Sequence, residues 1–289
     1  NVLVPLDEAG LSRTVDELIA IGVEAVAVGF LHSFTNADHE RRTGEAIARR
    51  LPGMAVTLSS DVSPEMREYE RFSTACANAY IAPLMGRYLK GLERELQQAG
   101  FICPLLLMTS GGGITTVETA IRYPVRLIES GPAAGAIFAG CIARQHGLDQ
   151  VLSFDMGGTT AKICLIDKAQ PQTARLLEVA RVYRFLKGSG LPLRIPVIEM
   201  VEIGAGGGSI ARIDALKRIA VGPDSAGADP GPACYGQGGR EPTVTDADVV
   251  LGRIDPQKFS GGKIALDAAG ATRAVAERIG APLSLAADH

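Results

Sequence analysis

Four apolar, strand-like runs of this sequence end in glycine within about 100 residues, and this feature limits the possible folds most. The glycine-rich ends are TSGGG (109–113), ESGPAAG (129–135), DMGGTT (155–160) and GAGGGS (204–209). Glycine permits positive φ and lets backbone N–H groups approach a ligand without steric hindrance from a Cβ atom. One glycine pair between strands is usually only a turn, but four such ends close together favour a role in ligand binding.

The segment VLSFDMGGTTAKICLID (151–167) has the most specific chemistry. Two β-prone runs flank Gly157 and Gly158, which predicts a hairpin. Asp155 is a candidate ligand for Mg²⁺ or Mn²⁺, since Mg²⁺ in proteins is often bound by a single carboxylate and keeps most of its waters. The amides and hydroxyls that could bind a terminal phosphate belong to Gly157, Gly158, Thr159 and Thr160.

Other candidate residues have an equally good structural interpretation. Lys162 could neutralise a transferring phosphoryl group, or it could be an ordinary solvated strand lysine. Glu129 could be a catalytic carboxylate, or it could serve as a helix cap or ion-pair partner. The remaining candidates for ligand binding, each also explained by a strand-end turn, are Ser110, Gly111, Gly112, Gly113, Gly204, Gly206, Gly207 and Gly208. No dinucleotide-binding fingerprint and no P-loop sequence are present.

The order of elements predicts an α/β protein. A short helix should end at Gly22, two strands should follow near residues 23–31 and 54–60, and Asn36 should cap the helix between them. A long helix should run from Pro64 to Gly100, with a kink or break at Pro83. The segment VRLI (125–128) is predicted as a strand. Because the composition changes after Gly100, we predict two domains, 1–100 and 101–289.

Composition and charge exclude several classes of protein. The net charge is −3 and no dense run of Lys or Arg occurs, which argues against nucleic-acid binding. The longest apolar run is about half of the roughly 20 residues that a membrane-spanning helix needs. Five dispersed cysteines are typical of free thiols in a reducing compartment. We therefore expect a cytoplasmic enzyme without a membrane anchor, and the initial Asn1 suggests a piece of a longer chain.

Several long segments resemble the hydantoinase A/5-oxoprolinase family. They include SPEMREYERFSTACANAYIAPLMGRYL, ESGPAAGAIFAG, FDMGGTTAKICLI, VEIGAGGGSIARID and VGPDSAGADPGPACYGQGGREPTVTDADVVLGRI. The resemblance implies an actin-like ATPase (ribonuclease H-like) fold with mixed sheets and flanking helices. DMGGTT would be the second of two phosphate loops. Because no D-x-G-G-T pattern precedes Met108, the fold is expected to be incomplete here, with domain 101–289 being of the hydantoinase A type.

The resemblance also implies an activity. Members of the family use ATP and Mg²⁺ to open cyclic amides such as hydantoin, N-methylhydantoin or 5-oxoproline, by phosphorylating the amide oxygen. They work with a second, hydantoinase B-type subunit or domain, and the full-length form is expected to be oligomeric. This part alone should be inactive. Two alternatives remain: a subunit of a ketone carboxylase of the acetone carboxylase type, and a non-catalytic segment that binds another subunit.

Overall fold

A computed structural model of the chain describes residues 2–183 and 186–288. The α-helices are α1 (Glu8–Ile21), α2 (Asp38–Arg50), α3 (Ser59–Val62), α4 (Glu68–Gln98), α5 (Val117–Arg122), α6 (Ser130–Gln145), α7 (Val244–Val250), α8 (Ala268–Val275) and α9 (Ala281–Leu283). Short 3₁₀ helices span Pro124–Leu127, Ala233–Tyr235 and Phe259–Gly262, and a π-helical turn spans Ala276–Gly280. No helix in the described ranges combines the length and the apolar character needed to cross a bilayer.

The strands are mostly short. They are β1 (Ala25–Val28), β2 (Ala55–Leu58), β3 (Leu106–Met108), β4 (Ile114–Thr116), β5 (Gln150–Met156), β6 (Ala161–Asp167), β7 (Gln170–Pro171), β8 (Thr173–Ala174), β9 (Leu177–Val179), β10 (Leu191–Leu193), β11 (Val197–Ile198), β12 (Val201–Ile203), β13 (Ser209–Ile213) and β14 (Ile219–Ser225). Helices and both parallel and antiparallel strand pairs are present, so the fold is mixed α/β, as the sequence predicts.

The chain forms two compact units, each built from two separate segments. The first contains Asn1–Leu148 and Asp167–Glu199, and the second contains Asp149–Ile166 and Met200–His289. The boundary that we predicted near residue 100 lies inside the first unit, between α4 and β3.

The first unit is organised around the parallel pair β1–β2, in which Ala25 is opposite Ala55 and Val28 is opposite Leu58. Parallel strands need a helical crossover, and α2 supplies it. Val15 of α1, Val28 of β1 and Ile47 of α2 are almost fully buried and form one apolar cluster. α1 ends as predicted, because Gly22 adopts the left-handed conformation with φ +73°.

A buried polar network lies at the carboxyl ends of β1 and β2. Glu40 of α2 and Arg71 of α4 are both fully buried. One carboxylate oxygen of Glu40 accepts from the Ser59 hydroxyl at 2.6 Å, and the other accepts from the Ser60 amide at 2.8 Å. Arg71 donates to the same Ser59 hydroxyl at 3.1 Å and to the carbonyl of Phe30 at 2.9 Å. The buried charges are therefore hydrogen-bonded, as charges in a protein interior must be.

Local predictions in the first unit differ from the structure at four points. α4 begins at Glu68, with α3 preceding it, and not at Pro64. α4 is 31 residues long, contains Pro83 and is not broken at that residue. Ala37 is the N-cap residue of α2, while Asn36 accepts the Asp38 amide at 3.1 Å. The segment VRLI lies mostly in a 3₁₀ helix (Pro124–Leu127) and forms no strand, since Pro124 at its start suits a helical turn.

The second unit contains the sheet β12–β6–β5 and the antiparallel pair β13–β14. Its apolar core is formed by residues that follow these strands in the sequence. Cys234, Val249, Leu266 and Ala271 are buried together in one apolar cluster. This cluster joins the 3₁₀ helix at Ala233–Tyr235 to α7 and α8.

Candidate functional site

The predicted hairpin of residues 150–167 is present in the second unit. The amide of Gly157 donates to the carbonyl of Thr160 at 2.9 Å, which closes a turn with Gly158 and Thr159 at its tip. β5 and β6 are neighbours in the sheet. Counting two residues outward from the closing pair brings Asp155 and Lys162 opposite one another. The hairpin confirms the secondary structure expected from the glycine pair.

A third strand extends this arrangement of charges. β12 pairs with β6 antiparallel, with Glu202 opposite Lys162. Residues opposite one another on neighbouring strands point to the same face of a sheet. Lys162 therefore lies between two acidic positions, Asp155 on β5 and Glu202 on β12.

The glycine-rich loop 204–209 packs directly on this turn. The amide of Gly207 donates to the carbonyl of Gly157 at 2.9 Å, and the amide of Gly208 donates to the carbonyl of Gly158 at 2.7 Å. The amide of Gly206 donates to the hydroxyl of Ser209 at 2.9 Å. We call this contact between the two loops the backbone clasp. The amides of Gly206, Gly207 and Gly208, which the sequence suggested for ligand binding, are thus engaged in internal hydrogen bonds. The amide of Gly157, which the sequence suggested as a phosphate donor, is also engaged, because it closes the turn.

The clasp explains why this loop is made of glycine. A Cβ atom on Gly206 would lie 2.6 Å from the Gly157 carbonyl oxygen and 2.6 Å from the Thr160 nitrogen. A Cβ atom on Gly208 would lie 3.0 Å from the Gly158 carbonyl oxygen. Contacts below 3.0 Å with backbone atoms force a displacement of the chain. Gly204 begins the same loop directly after β12. Gly206 and Gly208 therefore pack against the turn at 157–160 where larger residues would not fit.

The first turn of α7 supports the clasp from the other side. The amide and hydroxyl of Thr245 both donate to the carbonyl of Gly207, at 2.8 and 2.9 Å. Thr243 is the N-cap residue of α7, and Asp246 completes a capping box with it. The sequence T-V-T-D carries the capping-box signal, but nothing in it pointed to the contact between Thr245 and the glycine loop.

Asp246 has a structural role that the sequence did not reveal. Its side chain is fully buried. It accepts hydrogen bonds from the amides of Ala233 and Cys234, at 3.2 and 2.7 Å, and from the hydroxyl of Thr243 at 2.8 Å. Burial, followed by the hydrogen bond and charge of Asp246, raises the pKa of the Cys234 thiol to about 12. Asp246 therefore anchors the loop around residue 234 to α7.

The tip of the turn is open. Asp155, Gly158 and Thr159 are exposed, and a Cβ atom on Gly158 would have no atom within 4 Å. Within residues 2–183 and 186–288, the amides of Gly158 and Thr159 have no hydrogen-bond acceptor. A hydrogen-bonded turn with two adjacent unused N–H groups is suited to receive the oxygens of an anion.

The chemistry of the turn restricts the kind of metal ion that it could bind. Across the described residues, no group of three or more His, Cys, Asp or Glu side chains could hold a metal ion. An ion held entirely by protein side chains, such as structural Zn²⁺, does not fit this part of the chain. A single exposed carboxylate fits Mg²⁺, because that ion is usually bound by one or two carboxylates together with waters and phosphate oxygens.

The predicted loop 109–113 lies in the first unit and is the turn between β3 and β4. Ser110 is 1% exposed, and its amide and hydroxyl both donate to the carbonyl of Arg126, at 2.8 and 2.6 Å. Gly112 has φ +82°, and a Cβ atom there would lie 2.7 Å from the side chain of Ile137. A Cβ atom on Gly111 would lie 3.2 Å from the side chain of Pro196, which is a tight contact, and the carbonyl of Gly113 accepts from the Thr109 amide. Packing accounts for Ser110, Gly111 and Gly112.

Glu129, also in the first unit, lies directly before α6. Its backbone is left-handed, with φ +63°, and its side chain makes no capping hydrogen bond to the helix. A left-handed conformation is uncommon for a residue other than glycine and raises its energy by about 1–3 kcal/mol. The glycine-rich stretch SGPAAG forms the first turns of α6. The structure thus brings together 157–160 and 204–209, whereas 109–113 and Glu129 belong to the other unit.

Comparison with known proteins gives consistent matches along the chain. The caprolactamase subunit alpha of Pseudomonas jessenii is 37% identical over 99% of this chain, and the match covers 40% of that protein. The 5-oxoprolinase of Saccharomyces cerevisiae is 36% identical over 90% of this chain and 19% of its own length. The acetone carboxylase beta subunit of Xanthobacter autotrophicus is 29% identical over 99% of this chain and 39% of its own. The chain thus spans about two fifths or less of the length of these relatives.

Solved structures agree with these matches. The crystal structure of the ATP-dependent caprolactamase from Pseudomonas jessenii has a TM-score of 0.76 and 35% identity, covering 100% of this chain and 40% of that one. A nucleotide-free acetone carboxylase structure has a TM-score of 0.73 and 27% identity, covering 99% and 39%. The family model described as Hydantoinase/oxoprolinase matches residues 71–289, and the model of the N-terminal region of the same family matches residues 1–51. The chain belongs to the hydantoinase/oxoprolinase family.

Proposed function

We propose that this chain is part of an ATP-dependent enzyme subunit that opens a cyclic amide, and that the turn at 155–160 binds the phosphates of ATP. The observation that carries the proposal is the open turn fixed by the backbone clasp. Its two adjacent amides, on Gly158 and Thr159, have no acceptor among the described residues, and a Cβ atom on Gly158 would have no atom within 4 Å. Two of the solved relatives are described as ATP-dependent enzymes, which supports the choice of nucleotide.

Each residue of the turn has a role in this proposal. The Gly158 and Thr159 amides donate to phosphate oxygens, and the hydroxyl of Thr159 or Thr160 adds another donor. Asp155 holds Mg²⁺, which supplies charge neutralisation on the phosphates when it is bound. Lys162, opposite Asp155, adds positive charge close to the transferring group. Catalysis of phosphoryl transfer depends mainly on such positioning and electrostatic stabilisation.

The reaction follows from the poor reactivity of amides. The amide oxygen attacks the γ-phosphorus, the bond between that phosphorus and the bridging oxygen breaks, and ADP leaves. The product is a phosphorylated imidate, whose carbon is more electrophilic than that of the amide. Water then attacks this carbon, and the ring C–N bond breaks, which leaves a free amine and an acyl phosphate. A second water hydrolyses the acyl phosphate to a carboxylate and orthophosphate. We propose that a second, hydantoinase B-type subunit completes the hydrolysis, because a relative is named as a subunit of caprolactamase.

A ketone carboxylase is an equally well supported alternative. The acetone carboxylase relatives cover 99% of this chain in both sequence and structure. In that case the enolate oxygen of a ketone, or bicarbonate, would accept the phosphoryl group at the same turn. The proposed actin-like ATPase fold is compatible with both reactions, so substrate assays are needed to separate them.

Calorimetric titration with Mg-ATP tests the role of the turn. We expect Asp155→Asn to weaken binding by at least about tenfold, because it removes the only carboxylate in the turn. Asp149→Asn is the matched control, since Asp149 is also exposed and lies at the other end of β5. Equal affinities for the two variants, or no binding by the full-length protein, would refute the assignment.

Substrate assays with the full-length protein and its partner decide between the two reactions. Loss of hydantoin, N-methylhydantoin, 5-oxoproline or caprolactam that depends on ATP would support the hydrolase. Turnover that requires a ketone and bicarbonate would refute the hydrolase and support the carboxylase. Absence of both Mg-ATP binding and turnover would favour the non-catalytic alternative, a segment that binds another subunit and no nucleotide.

A further inference from the structure

A cavity of about 660 Å³ lies in the first unit, between α4 and β2. Ala55 and Thr57 of β2 line one side of it. Pro83 and Gly86 of α4 line another side, and Ile121 of α5 lies beside them. The volume falls within the range of about 300–1,000 Å³ that is usual for small-molecule sites, which also have mostly apolar walls and a few polar groups.

Small residues of α4 leave this space open. Ala82 and Gly86 both line the cavity and are four residues apart, so they lie on one side of the helix. Outside its own helix, a Cβ atom on Gly86 would contact only Ile121 among the described residues, at 3.6 Å, which is an ordinary packing distance. Glycine inside a helix is less favourable than alanine. Packing therefore does not require Gly86, and its effect is to widen the cavity.

Thr57 contributes a buried hydroxyl to the lining of the cavity. The residue is 5% exposed, and its hydroxyl accepts from the side-chain amide of Asn78 at 2.9 Å. A hydroxyl can also donate one hydrogen, and no acceptor for the hydrogen of Thr57 is found in residues 2–183 and 186–288. Buried donors usually have a partner. A molecule bound in the cavity can supply the missing acceptor.

Charges of both signs line the same cavity. Arg87 and Lys90 of α4 are three residues apart and lie on the side of the helix that carries Pro83. Glu24, the residue before β1, also lines the cavity. In the part of the chain that the structure describes, none of these three charged side chains makes an ion pair, either with one another or with a further residue. A lysine and an arginine are thus available to an anion, and a carboxylate is available to a cation.

We propose that this cavity binds an amino-carboxylate, a small molecule with a carboxylate, an ammonium group and a short aliphatic body. Arg87 and Lys90 hold the carboxylate through charge-assisted hydrogen bonds. Glu24 pairs with the ammonium group, and the Thr57 hydroxyl donates to an oxygen of the ligand. The apolar walls contact the aliphatic body.

The choice of ligand rests on the proposed function in one respect. Hydrolysis of a lactam breaks the ring C–N bond and leaves an amine and a carboxylate on one molecule, so the product of the proposed reaction is an amino-carboxylate. The cavity would hold this product in the first unit, whereas the turn at 155–160 belongs to the second. The site is therefore distinct from the proposed nucleotide site.

Calorimetric titration of the full-length protein without nucleotide tests the ligand class. The probes are ε-aminocaproate and glutamate, which are amino-carboxylates of different length, and caproate, which lacks the ammonium group. We expect at least one amino-carboxylate to bind at millimolar concentration, and caproate to bind more weakly than ε-aminocaproate because it leaves Glu24 unpaired. Absence of binding by both amino-carboxylates would overturn the proposal. Equal affinities for ε-aminocaproate and caproate would refute the role of Glu24.

Charge substitutions locate the bound molecule. Arg87→Gln and Lys90→Gln should each weaken binding of the amino-carboxylate by about fivefold or more, because each removes a charge-assisted hydrogen bond. Glu24→Gln should weaken binding of the amino-carboxylate but not of caproate. Arg94→Gln is the matched control, since Arg94 is exposed on α4 one turn beyond Lys90 and does not line the cavity. Unchanged affinity in both Arg87→Gln and Lys90→Gln would place the bound molecule elsewhere and refute the site.

Filling the cavity provides an independent measurement. Gly86→Leu places a side chain in the open space, and Gly91→Leu is the matched control, because Gly91 is also inside α4 and a Cβ atom there would have no atom within 4 Å. Both changes replace glycine by a good helix former, so neither should lower the Tm. Only Gly86→Leu should abolish binding of the amino-carboxylate, and equal binding by the two variants would contradict the proposal.

Mg-ATP titration of the same variants separates this inference from the proposed function. Binding of Mg-ATP should be unchanged in Arg87→Gln, Lys90→Gln and Gly86→Leu, because their positions belong to the first unit. If Asp155→Asn leaves Mg-ATP binding unchanged while the amino-carboxylate still binds the cavity, the nucleotide site fails and the cavity remains. If Mg-ATP binding depends on Asp155 but no amino-carboxylate binds, the cavity proposal alone fails.

Discussion

The backbone clasp leads to a quantitative prediction for Gly206→Ala. The new methyl group would lie 2.6 Å from both the Gly157 oxygen and the Thr160 nitrogen, and 2.7 Å from the carbonyl carbon of Thr159. Overpacking of this kind costs about 1–3 kcal/mol. Separation of the loops would also lengthen the hydrogen bonds from Gly207 and Gly208, each worth about 1 kcal/mol. The expected loss of stability is about 2–4 kcal/mol.

Gly158→Ala is the matched control for this change. It adds the same methyl group to the same turn, but no atom lies within 4 Å of the new Cβ position, and the φ angle of Gly158 is not positive. Its effect on stability should therefore be below about 0.5 kcal/mol. Thermal unfolding followed by circular dichroism should show a Tm lower by roughly 6–12 °C for Gly206→Ala, at about 3 °C per kcal/mol. The Tm of Gly158→Ala should remain within roughly 2 °C of the unmodified protein.

Titration with Mg-ATP of the two variants completes the test. Gly206→Ala should weaken binding because it displaces the turn, even though Gly206 itself offers no amide to the phosphate. If Gly206→Ala and Gly158→Ala have the same Tm, the contact between the loops is not formed in solution and the reasoning fails. If Gly206→Ala is destabilised but binds Mg-ATP normally, the clasp is structural and does not shape the nucleotide site.

Three further predictions concern buried groups. Asp246→Ala should lower the free energy of unfolding in urea by about 3–5 kcal/mol, because it leaves several buried donors unsatisfied. The control, Asp248→Ala, loses the ion pair to Arg253 at 3.7 Å and should cost less than about 1 kcal/mol. Similar costs for the two variants would contradict the anchoring role of Asp246. Burial raises the pKa of Glu40, but hydrogen bonds, chiefly from Ser59 and Ser60, hold this pKa below its ordinary value of 4.5. The ionised Glu40 therefore contributes stability above pH 4.5, and this contribution is lost as the pH falls through the lower folded-state pKa. Glu40→Gln should reduce the acid dependence of urea unfolding, and an unchanged pH profile would contradict this. The Cys234 thiol, with its pKa raised to about 12, should resist iodoacetamide at pH 8 until the protein unfolds, and rapid alkylation in the folded state would show that it is accessible.

Much of the local structure was predictable because it depends on neighbours in sequence. The hairpin at 150–167 follows from a glycine pair between β-prone runs, and the end of α1 follows from a glycine that can adopt positive φ. The predicted break at Pro83 was wrong. Proline has no N–H for the helical hydrogen bond, but packing of α4 against β1 and β2 keeps the helix continuous. The prediction of a strand at 125–128 was also wrong. The preceding proline favours a helical turn, and this preference outweighs the strand preference of the apolar residues.

The candidate site was predictable in part. The sequence indicated both loops, 155–160 and 204–209, as candidates for ligand binding, and it did not distinguish their roles. Only the fold distinguishes them: 204–209 packs on the turn and supports it, while the tip of 155–160 remains open. Likewise, Ser110 looked available for a ligand, but the carbonyl that it contacts belongs to Arg126, 16 residues later. Local sequence patterns do not indicate which distant backbone atom a side chain will reach.

The arrangement of the chain in two segments per unit has a practical consequence. The polypeptide passes from one unit to the other three times, after Leu148, Ile166 and Glu199. No single cut can therefore release either unit as a continuous piece, and a protease that cleaves at one passage leaves the units joined by the other two. A clone ending at residue 148 would lack β8 to β11, including Leu193, Ile195 and Val197, which share a buried cluster with Val62 and Ala75 of the first segment. Residues 167–199 have to be included before the first unit can be prepared on its own.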